Sequence, residues 1–550
     1  MKTLSNISRI SEIGMILAKY GFGDILLRMD LPIKNLGGKI SSAIDPDINI
    51  FKRIRMAIEE LGPTFIKLGQ VLSMRPDLLP TPLINELSKL QDNVEPLHFD
   101  VIEAILEEEF DMPLDSRFAE FDPEPVASAS LSQVHRAVLY GLDVPVAVKV
   151  RRPGIVGIIE TDLDILAMVA RQGHDNIDAL KVYDLPGMVK SNRQTLLREI
   201  DFSREARYIQ VAHSRVGRDE NIYIPSVYPE HSTEKVLVSE YISGMKISLD
   251  MALSDACRKT LAKAGVKSAV IQILDQGFYH ADPHPGNLLV TRDNRLCLLD
   301  WGMVGRLSSE ERDHLLLLIQ AVADRDTRRL VDLLLDITTV TSEKINRSFL
   351  EKDLMDLMDV YLAISLKEIR VKNMLVDFVQ VLKDHDLRLP ADLSMVIKAL
   401  ITVEGSARML LPELDVMSEA EPHIRDLAAG RYSVGHMWQR LRSNLSSFWA
   451  LQRHLPGSLS AIVKQVENGN LAIQFKHRNL DTFQKVLESS FNRLTLGIVL
   501  GAMIIGSSMI ITTGVRPWLF GYPALGMIGY LIAAVIGLWL VIIIIRRQNY

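Results

Sequence analysis

Two short stretches hold the residue types that phosphoryl transfer needs. Tyr279-His280-Ala281-Asp282-Pro283-His284-Pro285-Gly286-Asn287 is followed by Leu298-Leu299-Asp300-Trp301-Gly302. Asp282 and Asn287 stand five positions apart, and Asp300 follows Asn287 by thirteen. One carboxylate orients an attacking oxygen, while an amide oxygen and a second carboxylate hold Mg²⁺ on the phosphates. Asp-Pro and Pro-Gly-Asn are also ordinary turn signals, so each half alone says little. Leu288-Leu289-Val290 and Leu296-Cys297-Leu298-Leu299 read as a hairpin between the two halves.

Other elements must position these groups. Protein kinases use D-x-x-x-x-N and then D-F-G; here the second pattern is Asp300-Trp301-Gly302, one aromatic for another. Upstream, residues 125–139 and 144–150 predict two antiparallel strands joined by a turn at Gly141-Leu142-Asp143. The run Val126-Ala127-Ser128-Ala129-Ser130-Leu131-Ser132-Gln133 places small residues where a kinase has its phosphate-covering loop. Lys149, in V-A-V-K, can reach the α/β-phosphates, although a lysine on an edge strand also deters aggregation. Residues 158–213 read as mostly helical. On one continuous helix Asp201 and Glu205 share a face and Glu199 lies elsewhere, so spacing does not choose which acid pairs with Lys149. Val236 to Gly244 reads as a buried strand and turn. Backbone groups of Glu240 to Ile242 then face an adenine edge, or the strand binds nothing. Lys67-Leu68-Gly69-Gln70 lies in a helix that Thr64 caps and that ends before Pro76. Lys67 and Gln70 share its face, and Gly69 admits another backbone.

At 550 residues the chain is expected to hold several domains. A charged fraction of 24% and a hydrophobic fraction of 48% exclude a mainly disordered chain. A net charge of −6 argues against general nucleic-acid binding. Cys257 and Cys297 have no close cysteine partner, which excludes a disulfide framework and a cysteine-built zinc site. No signal peptide is expected at the start. Residues 1–60 read as amphipathic helix with Ile10, Ile13, Leu17, Leu26 and Leu27 at helical spacing, and residues 97–112 as an acidic helix whose Glu107-Glu108-Glu109 faces water. Residues 309–420 are again helical. From 421 to 493 Lys and Arg outnumber Asp and Glu, with Trp438, Phe448 and Trp449 interleaved, which suits anionic lipid. Residues 494–513 and 524–545 are uncharged runs, each long enough to span ~30 Å of hydrocarbon. Arg546-Arg547 and the basic segment put both ends on the cytoplasmic side.

Taken together, these motifs resemble the UbiB family of atypical, kinase-like proteins of ubiquinone biosynthesis. The resemblance runs from the Lys67 motif to the C-terminus. It matches Lys67-Leu68-Gly69-Gln70 to the K-x-G-Q signature and Val126 to Gln133 to the alanine-rich phosphate loop, here richer in serine. Lys149 matches the nucleotide lysine, Glu199-Ile200-Asp201 the E-x-D signature, and Glu205 the helix glutamate that pairs with the lysine. His280 to Asn287 matches the catalytic loop and Asp300 the metal ligand. The resemblance implies an α+β, bilobal protein-kinase-like fold with ATP and Mg²⁺ as cofactors. It implies an N-terminal helical extension (1–120), an N-lobe (121–243), a C-lobe (244–420), a basic juxtamembrane segment (421–493) and a transmembrane helical hairpin (494–545). Lys67, Gly69, Gln70, Glu199 and Asp201 are implied to gate the site against protein substrates. The implied partners are membrane lipid, polyprenyl quinone precursors and quinone-biosynthesis enzymes at a bacterial inner membrane. The 56 positions between Lys149 and Glu205 require an insertion relative to ordinary kinases. A nucleotide-gated scaffold and a small-molecule phosphotransferase of the aminoglycoside kind are the competing readings.

Overall fold

Strict alternation of side chains decides the architecture around Lys149. In strand 145–151 Val146, Val148 and Val150 are wholly buried on one face, which turns Lys149 to the other. The computed structural model describes residues 2–23, 48–73, 75, 78–90, 94–141, 144–176, 185–216, 219–340, 345–363, 370–431, 480–514, 516–519 and 521–547. The expected Leu26 and Leu27, the Leu142-Asp143 turn, and the basic stretch 432–479 with Trp438, Phe448 and Trp449 lie outside them.

The chain divides into two units, Met1–Trp438 and Gln439–Tyr550. The first begins with helices α1 (Lys2–Lys19), α2 (Ile50–Leu61), α3 (Pro63–Ser73), α4 (Thr81–Leu87) and α5 (Phe99–Phe110). Strands β1 (Phe118–Ser128), β2 (Ser132–Leu139) and β3 (Pro145–Arg151) follow. Then come α6 (Ile155–Asn176), α7 (Leu185–Glu199), α8 (Phe202–Arg215), β4 (Ile222–Tyr223), β5 (Val236–Glu240) and β6 (Gly244–Lys246). The C-terminal half holds α9 (Asp255–Val270), β7 (Phe278–His280), β8 (Leu288–Thr291), β9 (Leu296–Leu298) and β10 (Val304–Arg306). It ends in α10 (Ser309–Ala323), α11 (Thr327–Ile337), α12 (Arg347–Ala363), α13 (Val371–Asp384), α14 (Ala391–Leu410) and α15 (Val416–Arg431).

One four-stranded sheet runs β1-β2-β3-β5, all neighbours antiparallel. Its buried face packs on Ile102 and Leu106 of α5, both fully buried. Helix α5 therefore covers the N-lobe sheet and does not stack with the first helices. Nor is its acidic run simply a water-facing stripe: Glu109 pairs with Lys235 at 2.7 Å and Glu107 accepts from the Leu114 amide at 3.1 Å. A second sheet, β4-β9-β8-β6, carries the expected hairpin, with Leu288 opposite Leu298 and Val290 opposite Leu296. The C-lobe core is one apolar cluster from Phe202 to Ala420.

The apolar stripe of α1 finds its partner inside the protein. Ile10, Ile13, Ile16 and Tyr20 pack with Ala57, Leu61 and Phe65 and with Ile165 of α6. Arg9 fastens this layer, donating to both carboxylate oxygens of buried Asp162 at 2.8 and 3.1 Å and to the Leu61 carbonyl at 2.7 Å. The insertion between Lys149 and Glu205 is thus α6 and α7, the bed on which the extension lies. Helix α3 starts at Pro63, whose missing N–H is harmless in the first turn. Thr64 is buried within the helix and does not cap it, because the chain turns two residues earlier at Gly62 (φ +96°), a left-handed angle that favours glycine.

The second unit holds α16 (Leu480–Thr513) and α17 (Ala524–Arg547). Their close approach is made by small residues: a Cβ on Gly529 would collide with the Ser507 hydroxyl, and one on Gly526 would stand 3.1 Å from the Ser507 carbonyl. Among the described residues one helical stretch, Leu494–Thr513, is long and apolar enough to cross a membrane. Ala524–Leu538 is a shorter apolar stretch, so the second expected span is not established.

Candidate functional site

Burial of the valines leaves Lys149 facing a cleft between the two lobes. There its amine donates to both carboxylate oxygens of Glu205, at 2.9 and 2.8 Å, and stands 3.8 Å from Asp300. Residues 197–206 are not one helix. α7 stops at Glu199, and Asp201 begins α8 by accepting from the Ser203 amide at 3.1 Å. The break separates the three acids. Glu199 ends one helix, Asp201 caps the next, and Glu205, in the first turn of α8, is the one that pairs with Lys149. Phe202, Ala206, Ile209 and Ala212 of α8 join the C-lobe core, which fixes where Glu205 points.

Electrostatics hold the set together. Burial opposes the charge on Lys149, but Asp300 and Glu205 outweigh it and hold the ammonium above its ordinary range. Burial pushes the Glu205 carboxyl up to about 7, against the pull of Lys149 and with the help of Asp300 and Glu199. Asp300 is depressed: the ammonium groups of Lys149 and Lys67, and the Gly302 amide at 3.0 Å, override the cost of burial. About half of its side chain (48%) stays open to the cleft, so a ligand can reach it.

Glu205 sets a pH response. In the unfolded chain it ionises near its ordinary value of 4.5; in the folded chain it does so near 7. Between these values the folded form binds the extra proton. Its contribution to stability is full below the lower value and lost as pH rises through the upper one. In denaturant titrations of the nucleotide-free protein, Glu205→Gln should therefore gain stability relative to wild type as pH rises across this window.

The catalytic loop is pinned from below. His280 is buried and pushed down by desolvation, which suits a neutral ring. Its Nε2–H donates to the Leu299 carbonyl at 3.1 Å, and its Nδ1 accepts from the Asp282 amide at 3.2 Å. That ring ties the loop of Asp282 to the segment after β9 that carries Asp300. Asn287 donates from Nδ2 to the Asp282 carbonyl at 3.4 Å, which turns its amide oxygen away as a free acceptor. Asp300 has φ +42°, in the left-handed region, where a strained acid often marks a site. Trp301 is fully buried, stacked on Phe278 at 5.9 Å and bonded through Nε1 to the Leu298 carbonyl at 3.2 Å. The substitution of one aromatic for another thus anchors Asp300.

Two oxygen donors, the Asn287 amide oxygen and the Asp300 carboxylate, fit Mg²⁺, a hard ion that keeps waters and phosphate oxygens in its shell. Among the described residues no group of three or more His, Cys, Asp or Glu could hold a metal unaided. Oxygens of a bound ligand would have to complete such a shell.

Several expected ligands have other duties. The turn of the small-residue loop is only Ala129 to Leu131; Val126, Ala127 and Ser128 belong to β1 and Ser132 and Gln133 to β2. Gln133 is wholly buried, bonded to both backbone groups of Leu97, so its side chain serves the fold and does not face phosphate. Leu131 lies in an apolar cluster with Ile159 and Leu196, and Ser130 is likewise buried. Arg152, which the sequence did not single out, holds the turn by donating to the Ala129 carbonyl at 2.9 Å and the Ser128 hydroxyl at 2.8 Å. At the hinge, the Glu240 amide donates to the Ser226 carbonyl and the Tyr241 amide to the Pro145 carbonyl. The Glu240 carboxylate accepts from Tyr223 at 2.7 Å. The amides of Glu240 and Tyr241 are thereby occupied, while the Ile242 amide has no partner among the described residues.

Lys67 reaches the same cleft, 2.6 Å from Glu199. Gln70 donates to the Leu90 carbonyl at 3.3 Å, and Gly69 makes room for the side chains of Leu90, Leu87 and Ile58, not for a backbone. Of the four-residue motif, Lys67 enters the site while Gly69 and Gln70 seat its helix.

Comparison with known proteins agrees with this geometry. Residues 89–334 match the ABC1 atypical kinase-like domain, 354–415 the UbiB helical domain, and 478–546 the ABC1/UbiB kinase-like C-terminal domain. An uncharacterized protein in the hydrogenase 1 5′ region of Clostridium pasteurianum is 34% identical over 98% of this chain and 99% of its own. A probable protein kinase UbiB of Xanthomonas campestris pv. campestris is 30% identical over 93% of this chain and 94% of its own. Another, from Xylella fastidiosa, is 33% identical over 76% and 77%. With a kinase-like fold and these motifs in place, the chain belongs to the UbiB family of atypical kinase-like proteins.

Proposed function

We propose that this chain is a membrane-anchored, ATP- and Mg²⁺-dependent kinase-like enzyme that supports ubiquinone or another isoprenoid-quinone pathway, acting on or with lipid precursors and not on proteins. The assembled Lys149–Glu205 bridge with Asp300 beside it carries the nucleotide part of this reading. Kinship with proteins named UbiB supports the pathway.

Lys149 would bind the α/β-phosphates, held in place by Glu205. The Ile242 amide would meet an adenine edge. Asn287 and Asp300 would hold Mg²⁺, which neutralises charge developing on the phosphates. Asp282 would orient the nucleophile, water or an acceptor hydroxyl, and take its proton. His280 keeps Asp282 and Asp300 in register throughout.

The acceptor argument rests on the extension. Beyond Lys67 its chain passes to the helical segment, where Lys383 donates to the Leu79 carbonyl at 2.6 Å. That contact supports the reading that the extension shields the site from a protein chain. The apolar stretches of α16 and α17 support a hairpin across a bacterial inner membrane, with the kinase-like domain and both termini cytoplasmic. Such an anchor suits hydrophobic precursors and allows contact with quinone-biosynthesis enzymes.

A nucleotide-gated scaffold is the second reading, favoured by Lys67 standing in the cleft. Quinone-intermediate profiling of a deletion strain separates the two. Asp282→Asn should accumulate the same intermediate as the deletion while still folding and binding nucleotide. Full complementation by Asp282→Asn would leave only the scaffold.

A further inference from the structure

The catalytic loop has an unmet electrostatic need. Residues 280–287 contain two histidines and no Lys or Arg, and phosphoryl transfer develops charge on oxygens that preorganised donors must meet. Lys149 and Lys67 are engaged with Glu205 and Glu199. A cation at the acceptor end must come from outside the loop.

Helix α14 lies along that end. The Tyr279 hydroxyl donates to the Asp392 carbonyl at 3.2 Å, and the Ser406 hydroxyl donates to the Pro283 carbonyl at 2.8 Å. The helix thus touches residues on both sides of Asp282, and Lys398 lies between the two contact points. Burial pushes the pKa of its ammonium down, and of the charged groups that act on it Asp282 favours the charged form and Lys372 of α13 opposes it. The other nearby acid, Glu404, is buried and already accepts from the Val371 and Lys372 amides and from Arg408. The Lys398 amine has no hydrogen-bond or ion-pair partner among the described residues, and it is not sealed from solvent.

We propose that Lys398 is a catalytic residue of the transfer end, its ammonium presented by α14 beside Asp282 to meet the transferred γ-phosphoryl group. The inference rests on the kinase-like reading above. As the acceptor oxygen bonds to the γ-phosphorus, the bond from that phosphorus to the β–γ bridging oxygen breaks. The electron pair stays with the β-phosphate, and the acceptor proton passes to Asp282. Lys398 keeps its own proton and offsets charge on the γ-oxygens.

The test is steady-state ATP turnover of the full chain, with MgADP affinity and thermal melting measured alongside. Lys398→Met should lower kcat about 100-fold with MgADP affinity unchanged, and Lys398→Arg should restore much of it. Lys372→Met should stay within about threefold of wild type in kcat. Lys398→Gln serves as the second neutral variant where the methionine form melts early. Wild-type kcat in the neutral variants overturns the proposal, as does a loss of MgADP affinity in step with kcat, or no recovery in Lys398→Arg. An active Asp282→Asn would instead defeat the underlying reading of the site. An inactive Asp282→Asn beside an active Lys398→Met would defeat this inference alone.

Discussion

Asp300→Asn should abolish ATP turnover, by at least about 100-fold in kcat, in a protein that still folds. The change is isosteric, and the amide oxygen of asparagine can still accept from the Gly302 N–H, now at 3.0 Å from Asp300. Trp301 keeps its buried stacking on Phe278, so the backbone at φ +42° stays anchored. What disappears is one negative charge at the place where Mg²⁺ would bind. The same charge also attracts Lys149 across 3.8 Å, so its loss leaves that ammonium to Glu205 alone. Melting should shift little. Nucleotide affinity should become nearly independent of added Mg²⁺, since the carboxylate that couples metal to protein is gone. Unchanged turnover would remove Asp300 from the metal site and with it the phosphoryl-transfer assignment.

The part of this site that was legible in the sequence is the part made by neighbours. Asp282, Asn287 and Asp300 sit on one loop and one hairpin, so short spacings carry the geometry. Lys149 was readable because alternation along a strand fixes its face. Glu205 is not separable from Glu199 and Asp201 by spacing, because spacing alone does not show the break at Ile200. The signal was present in Asp201-Phe202-Ser203: an acid followed two residues later by a residue whose amide it can cap. Gln133 misled for the opposite reason, since a run of small residues does not reveal which side chain turns inward. Contacts across long sequence gaps left no local trace. Arg9 with Asp162 is 153 positions apart, and Lys383 with Leu79 is 304. Arg152 and Lys398 belong to this class: each serves a loop that the sequence places elsewhere.

Lys67→Met should open the site to protein acceptors and lower stability together. The Lys67 side chain is 14% exposed and that of Glu199 12%, so removing the lysine leaves a nearly buried carboxylate without its cation. The second oxygen of Glu199 already lacks a partner. Breaking one side of such a pair costs about 3 kcal/mol when burial is deep. Glu205 and Asp300 would keep Lys149 as their neighbouring cation, while α3 would lose its ion pair to Glu199 at the end of α7. Gly69 and Gln70 still seat α3 on the 87–90 segment, so the extension should loosen at its Lys67 end and not detach. The readout is transfer of labelled phosphate from ATP to the protein itself or to an added protein, absent in wild type and present in the variant. Thermal melting should fall at the same time. Lys67→Met combined with Glu199→Gln should recover the stability, because no uncompensated charge remains, yet keep the new acceptor access. If Lys67→Met melts early but transfers no phosphate to protein, the lysine is a structural tie between α3 and α7. It would then not gate the site against protein acceptors.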